Sequence, residues 1–116
     1  MAHQHSCFSC LAIAASARHT ETCSLLILTF HFSGDHDISI PWIATLGWIE
    51  SLGVSVFDAW RAWYHDGQIA GYQVKFMNDH FRLTYVTVKG AGHTAPEYKP
   101  KESLAMIDRY LARYPI

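Results

Sequence analysis

Ser24–Phe32 (SLLILTFHF) is a run of residues that is apolar on both faces of an extended chain. Such a run is typical of a parallel strand with both faces covered, and these strands occur almost only in α/β proteins. Residues 33–40 (SGDHDISI) follow it and contain a glycine and two acids, which is typical of a loop at the carboxyl end of a strand. The stretch therefore predicts an α/β fold with an acidic loop after a buried strand.

A helix is expected directly after this loop. Pro41 suits a first helical turn, Ser39 lies near the capping position, and Gly53 is expected to end the helix. The stripe expected to face the core consists of Trp42, Leu46, Ile49 and Leu52.

A second loop, residues 90–96 (GAGHTAP), repeats this arrangement. It lies between Phe81–Val88, a predicted strand, and Pro100–Arg113, a predicted helix. Gly90 and Gly92 give the backbone unusual freedom and Pro96 stiffens the exit, so His93 is expected on a defined tight loop. A single loop histidine is more often structural than catalytic, so its assignment depends on its neighbours. The helix is expected to bury Leu104, Ile107, Leu111 and Tyr114.

The region between the two loops predicts a β-hairpin. Gln68–Met77 alternates between two faces, and residues 78–80 link it to Phe81–Val88. Residues 54–64 form an apolar and aromatic passage, in which Trp60 and Trp63 favour core packing over a ligand platform. Residues 65–67 (HDG) are a turn signal.

Composition limits the possible classes of protein. With 116 residues, half of them apolar, one small domain is expected. A net charge of −1 and a pI near 6.7 disfavour nucleic acid or an anionic membrane surface as the partner. No apolar run reaches the roughly 18 residues that a membrane span needs. The three cysteines are an odd number, which cannot close into a self-contained disulfide framework.

Residues 1–23 differ in character from residues 24–116 and are treated as a separate segment. Their small-residue apolar run ends in Ala15-Ser16-Ala17, like a signal peptide, but no Lys or Arg precedes the run. A metal site could be drawn from four residues of this segment, His3, His5, Cys7 and Cys10. They are spaced too closely for the two ligand pairs of a usual zinc site, and no second ligand pair follows them in the sequence. We expect no metal and no cofactor.

Asp37 and His93 are the candidate catalytic residues. Each follows an apolar strand and precedes a helix, and the acid-then-histidine order is that of the α/β-hydrolase triad, whose serine precedes both. A buried carboxylate holds the imidazole in the tautomer whose other nitrogen can accept a serine proton. Asp35 is the alternative acid; we favour Asp37 and expect Asp35 to hydrogen-bond its own turn.

Four motifs carry a resemblance to a known family. They are residues 33–37 (SGDHD) with Pro41 after them, residues 60–63 (WRAW), residues 66–72 (DGQIAGY) and residues 89–100 (KGAGHTAPEYKP). Over about residues 25–116 the chain resembles the carboxy-terminal part of a serine carboxypeptidase. It is most similar to the plant serine carboxypeptidase-like branch, which includes acyltransferases that use glucose esters as acyl donors.

The resemblance implies a fold, a location and site roles. It implies the C-terminal portion of an α/β-hydrolase fold, with parallel strands, helices and a hairpin in an incomplete sheet. It places Asp37 and His93 at the triad acid and base positions. It also implies a secreted or vacuolar protein, and a peptide or an acyl-glucose ester as the substrate of the complete enzyme.

The family's nucleophile motif, Gly-(Glu/Asp)-Ser-Tyr-x-Gly, does not occur in these 116 residues. The most similar stretch is residues 49–53 (IESLG), which lacks the leading glycine and lies at the end of a predicted helix. Ser51 is therefore not expected to be a nucleophile. Alone, the chain is expected to be nearly inert. A partner chain that carries the serine would complete the site. The alternatives are part of an acyltransferase of the same family, or a non-catalytic product of a truncated gene or transcript.

Overall fold

The computed structural model describes residues 10–15 and 26–116. Within these residues, five strands form one mixed sheet in the order β1-β2-β5-β4-β3, accompanied by three helices. The chain is therefore α/β, as predicted, and compatible with a portion of an α/β-hydrolase. In chain order the elements are β1 (Cys10–Ala15), β2 (Leu26–Gly34), α1 (Trp42–Ser51), β3 (Ser55–His65), β4 (Gln68–Met77), β5 (Phe81–Val88), α2 (Ala95–Tyr98) and α3 (Pro100–Leu111).

The pairing of β2 with β5 is parallel, which confirms the prediction from the apolar run. Their register extends from Ile27 opposite Phe81 to Gly34 opposite Val88, so both strands end at the same level. Loops that follow the two strands therefore emerge side by side at one edge of the sheet. All other described pairings are antiparallel.

The predicted hairpin is present as β4 and β5, and a second hairpin precedes it, of which only the turn at residues 65–67 was predicted. Residues 54–64, predicted only as an aromatic passage, lie largely in β3, which pairs with β4. The two strands are joined by Asp66 and Gly67, whose φ values are +48° and +72°. Two successive positive φ values are characteristic of the type I′ hairpin turn, for which Asp-Gly is a preferred sequence.

Side chains of β5 alternate between two core clusters on opposite faces of the sheet. Leu83 and Tyr85 lie in the cluster covered by α1, whereas Val86 and Val88 lie in the cluster covered by α3. The predicted α1 stripe is largely confirmed, because Ile49 is fully buried and Trp42 and Leu46 pack against its cluster, although Leu52 is exposed. Pro41 takes the N-cap position and no side chain caps the helix, so the capping role expected for Ser39 is not observed.

The prediction for the buried stripe of α3 is wrong in most of its members. Leu104 is 71% exposed, and Leu111 and Tyr114 are exposed as well. The helix instead packs through the face that carries Ser103, which is 2% exposed. Apolar residues cover more than one face of this helix, so periodicity alone did not select the buried one. The packed side chains are Ser103, Met106, Ile107 and Tyr110.

The two tryptophans of β3 have different environments. Trp63 is buried, and its Nε1–H donates to the Thr87 carbonyl oxygen at 2.9 Å, which confirms core packing. Trp60 is 40% exposed and lies edge-on to Trp42 and Tyr85, with ring centroids about 6 Å apart. The prediction of core packing is therefore confirmed for Trp63 and wrong for Trp60.

The N-terminal predictions lie mostly outside the described residues. Residues 10–15, part of the signal-like run, form β1 beside β2. The metal-ligand set of His3, His5, Cys7 and Cys10, which the spacing disfavours, falls on residues whose side chains the structure does not describe. Among the residues that it does describe, no cluster of three or more ligating side chains occurs. No helix in this part of the chain is long and apolar enough to cross a membrane.

Candidate active site

The acidic loop after β2 and the histidine loop after β5 are joined through their backbones. The Asp35 N–H donates to the Val88 carbonyl oxygen at 3.1 Å, and the His36 N–H donates to the Ala91 carbonyl oxygen at 3.0 Å. These bonds continue the parallel strand pairing into the loops. Residues far apart in sequence are thereby held at one edge of the sheet.

Gly34 allows the close approach of the two loops. A Cβ atom at this position would collide with the carbonyl oxygens of Ala91 and Gly92, which are backbone atoms and cannot rotate away. From the sequence, Gly34 is predicted only to lie in a loop. Its position directly after a buried strand was the available signal for a close backbone contact.

The structure brings the two candidate catalytic residues into hydrogen-bond contact. Asp37 Oδ2 lies 2.8 Å from His93 Nδ1, which is within hydrogen-bond reach, as expected of a dyad. The other carboxylate oxygen, Oδ1, accepts hydrogen bonds from the backbone N–H groups of Ser39 at 2.8 Å and Ile40 at 3.1 Å. Both oxygens of the Asp37 carboxylate are therefore occupied, which fixes its orientation toward the imidazole.

The two side chains differ in exposure. The Asp37 side chain is 6% exposed, whereas the His93 side chain is 43% exposed. The imidazole thus has a buried acid on its Nδ1 side, and within residues 26–116 no hydrogen bond is made by Nε2. A histidine with an acid behind it and an available Nε2 can accept and return a proton.

Burial and hydrogen bonding oppose each other at Asp37. Burial by itself raises the pKa of the carboxyl, but the hydrogen bond from His93 and those from the Ile40 and Ser39 N–H groups lower it, and the net pKa lies below its usual value of 3.8. The carboxylate is therefore ionised at neutral pH and able to stabilise a positive charge on His93.

This lowered pKa predicts a dependence of stability on pH. The folded chain binds the Asp37 proton more weakly than the unfolded chain does, so the stabilising contribution is complete above pH 3.8 and is lost as the pH falls through the folded-state pKa. We expect the difference in free energy of unfolding between wild type and Asp37→Asn to shrink on acidification. Urea denaturation from about pH 6 to about pH 3 measures it, and a constant difference would contradict the prediction.

The histidine loop is shaped by two glycines that act in different ways. Gly90 has a φ of +73°, a left-handed conformation of the kind that the sequence led us to expect. Gly92 is not among the residues with positive φ; a Cβ there would lie 2.9 Å from the Tyr98 ring. The role of Gly92 is therefore to make room for Tyr98, which corrects the expectation of backbone freedom at that position. Thr94 Oγ1 donates to Glu97 Oε2 at 2.7 Å at the start of α2.

A shallow cavity of about 350 Å³ opens beside the dyad. Asp37 and His93 line it together with residues of the two loops and Tyr98. A larger cavity of about 520 Å³ lies between α3 and the β3–β4 turn and contains neither catalytic candidate. Size alone does not identify the site, because only the smaller cavity contains the acid and histidine pair.

Asp35, the alternative acid, does not contact His93. Its Oδ1 accepts a hydrogen bond from the Gly90 N–H at 2.7 Å, across to the histidine loop. The expectation that Asp35 bonds its own turn is therefore wrong, since its acceptor capacity is used between the loops. Of the two acids, Asp37 is the one placed against the imidazole.

Ser51 lies at the C-terminal end of α1, and its hydroxyl donates to the Trp48 carbonyl oxygen at 2.6 Å. A bond back into the preceding helical turn is a common structural use of serine. The sharp turn between a strand and a helix that exposes a nucleophilic serine is absent around this residue.

An α/β sheet with an acid and a histidine on adjacent carboxyl-end loops is compatible with part of an α/β-hydrolase. The family model described as serine carboxypeptidase matches residues 16–113, and the chain belongs to the serine carboxypeptidase family.

The curated relatives include plant proteins of this family. The chain is 49% identical over 80 residues to "Serine carboxypeptidase-like 20" of Arabidopsis thaliana and 48% identical over 81 residues to "Serine carboxypeptidase 1" of Hordeum vulgare. These alignments cover 69% and 70% of the chain but only 16% of each relative. "Putative serine carboxypeptidase-like 52" of Arabidopsis thaliana is 46% identical over 85 residues, covering 73% of the chain and 44% of that relative. The chain thus spans about a sixth of the length of the first two.

Proposed function

We propose that the chain supplies the acid, Asp37, and the base, His93, of a serine carboxypeptidase site whose nucleophilic serine lies outside these 116 residues. The observation that carries the proposal is the 2.8 Å hydrogen bond between Asp37 Oδ2 and His93 Nδ1. Family membership supports it, because the relatives are named serine carboxypeptidases or serine carboxypeptidase-like proteins.

In the proposed reaction, His93 Nε2 takes the proton of the serine hydroxyl while the serine oxygen attacks the carbonyl carbon of a peptide's last bond. Asp37 keeps the Nδ1 proton in place and stabilises the imidazolium. His93 then gives the proton to the departing amine as the carbon–nitrogen bond breaks, leaving an acyl-enzyme. Water, activated by the same histidine, releases the acyl group.

The serine reaches this site either in the same polypeptide or in a partner chain that packs against the sheet. Such packing would cover exposed apolar side chains of β3. They include Val56, Phe57 and Tyr64. By similarity to its family the assembled enzyme is a secreted or vacuolar protein.

A chimera tests the proposal. Residues 26–116 replace the corresponding segment of Hordeum vulgare "Serine carboxypeptidase 1", with the rest of that relative kept unchanged, and hydrolysis of blocked dipeptides is measured. We expect hydrolysis comparable to that of the unmodified relative tested in parallel. The proposal would be contradicted if the chimera folds but transfers no acyl group to water or to an alcohol, while the unmodified relative is active in the same assay. Transfer from an acyl-glucose ester to an alcohol, without hydrolysis, would assign the acyltransferase reaction instead.

The isolated chain is expected to show no covalent labelling by a fluorophosphonate probe, because such probes require a serine activated by a neighbouring base. Mass spectrometry after probe treatment measures this, with the unmodified relative as the positive control. Labelling at Ser51 would show that our structural interpretation of that residue is wrong.

A further inference from the structure

A second side-chain hydrogen bond joins the acidic loop and the histidine loop beside the dyad. Asp35 Oδ1 accepts the Gly90 N–H at 2.7 Å, although the two residues are 55 positions apart in sequence. Asp35 lies two residues before Asp37, and Gly90 lies three residues before His93. The Asp35 bond therefore connects the same two loops as the dyad does, nearer to the strands from which the loops start.

Gly90 is the point at which the histidine loop turns away from β5. Its φ of +73° is costly for other residue types, and its N–H donates to Asp35 in this conformation. On either side of it, the Val88 and Ala91 carbonyl oxygens accept backbone N–H groups of the acidic loop. The Gly90 N–H lies between these two carbonyl groups in the sequence and donates to a side chain rather than to the backbone.

The charge of Asp35 suits this role. A carboxylate accepts a backbone N–H more strongly than a neutral oxygen does, and the Asp35 side chain is only 30% exposed. Removing it would leave the Gly90 N–H without that acceptor and free the first residue of the loop to change conformation.

We propose that Asp35 is a positioning residue, which sets the place of His93 relative to Asp37 and the attacking serine through its bond to Gly90. Its effect on catalysis rests on the proposed function; its effect on the loop does not. Because a displacement of about 1 Å at a reacting group can cost about a hundredfold in rate, loss of this bond is expected to affect turnover more than substrate binding.

The first test uses the 116-residue chain and hydrogen exchange followed by NMR. In Asp35→Ala we expect the Gly90 amide to exchange at least about tenfold faster, while the Val86 amide of β5 keeps its wild-type rate. In Asp35→Asn, which retains a neutral acceptor oxygen, the Gly90 amide is expected to exchange at a rate between those of wild type and Asp35→Ala. Equal acceleration at Val86, or no change at Gly90, would overturn the proposal.

The second test measures kcat and KM in the chimera. We expect Asp35→Ala to lower kcat by about a hundredfold with little change in KM, and Asp35→Asn to recover at least about tenfold of that loss. Equal losses in the two variants would overturn the positioning role. A loss of about ten thousandfold in Asp35→Asn would instead make Asp35 the triad acid, overturning both proposals. An inactive wild-type chimera would overturn the proposed function alone, since amide exchange reports the loop independently.

Discussion

Replacing His93 with alanine in the chimera is expected to lower kcat by about a millionfold, and Asp37→Asn by about ten thousandfold. The loss at His93 is larger because no other group is placed to take the serine proton. The asparagine retains the size of Asp37 but cannot stabilise an imidazolium, and its NH₂ group favours the wrong tautomer of the histidine. The hydrogen bonds from Ser39 and Ile40 to Oδ1 are kept, so the loop should remain folded.

The control for Asp37→Asn is the same substitution at Asp66. That side chain is 83% exposed, and its φ of +48° is a conformation that asparagine tolerates well. We expect Asp66→Asn to change kcat by less than about threefold, as is typical of exposed sites. Comparable losses at Asp37 and Asp66 would show that the kinetic effect does not arise from the dyad.

Gly34→Ala is expected to destabilise the isolated chain by about 3 kcal/mol, the upper end of the usual cost of overpacking. The added methyl group would collide with the carbonyl oxygens of Ala91 and Gly92, and these belong to the loop that holds His93. Relief of the collision requires the two loops to separate. We therefore expect the Asp37–His93 contact to be lost together with the stability.

Gly47→Ala provides the matched control, because nothing lies within 4 Å of a Cβ built at that exposed position in α1. There the substitution should increase the free energy of unfolding by roughly 0.5–1 kcal/mol, since alanine favours a helix more than glycine does. Urea denaturation measures both variants. If Gly34→Ala were as stable as Gly47→Ala, close packing of the loops at Gly34 would not be required.

The sequence predicted the parts of this structure that depend on local pattern. The apolar run through Phe30 indicated a parallel strand, and the alternation of side chains between two faces after Gln68 indicated a hairpin strand. The glycines on both sides of His93 indicated that this residue lies on a loop. Contact between Asp37 and His93 followed from the rule that carboxyl-end loops meet at one edge of a parallel pair. Their catalytic roles stay a prediction.

The features that the sequence analysis missed depend on tertiary contacts. In α3, apolar residues occupy several faces, and Ser103 rather than Leu104 lies against the sheet. In β3, successive aromatic residues and irregular pairing obscured the alternation that marks a strand. Asp35 accepts a hydrogen bond from the N–H of a residue 55 positions away, which local sequence patterns do not predict. The need for glycine at position 34 was not predicted, because the atoms that leave no room for a Cβ there belong to the histidine loop.

Fluorophosphonate labelling of the serine in the chimera, with and without His93, tests the central claim most directly. The probe reacts with that serine only when a base activates it. We expect rapid labelling of the wild-type chimera and loss of labelling in His93→Ala, with the near-ultraviolet circular dichroism of the fold retained. Equal labelling of the two proteins would contradict the claim that His93 is the base.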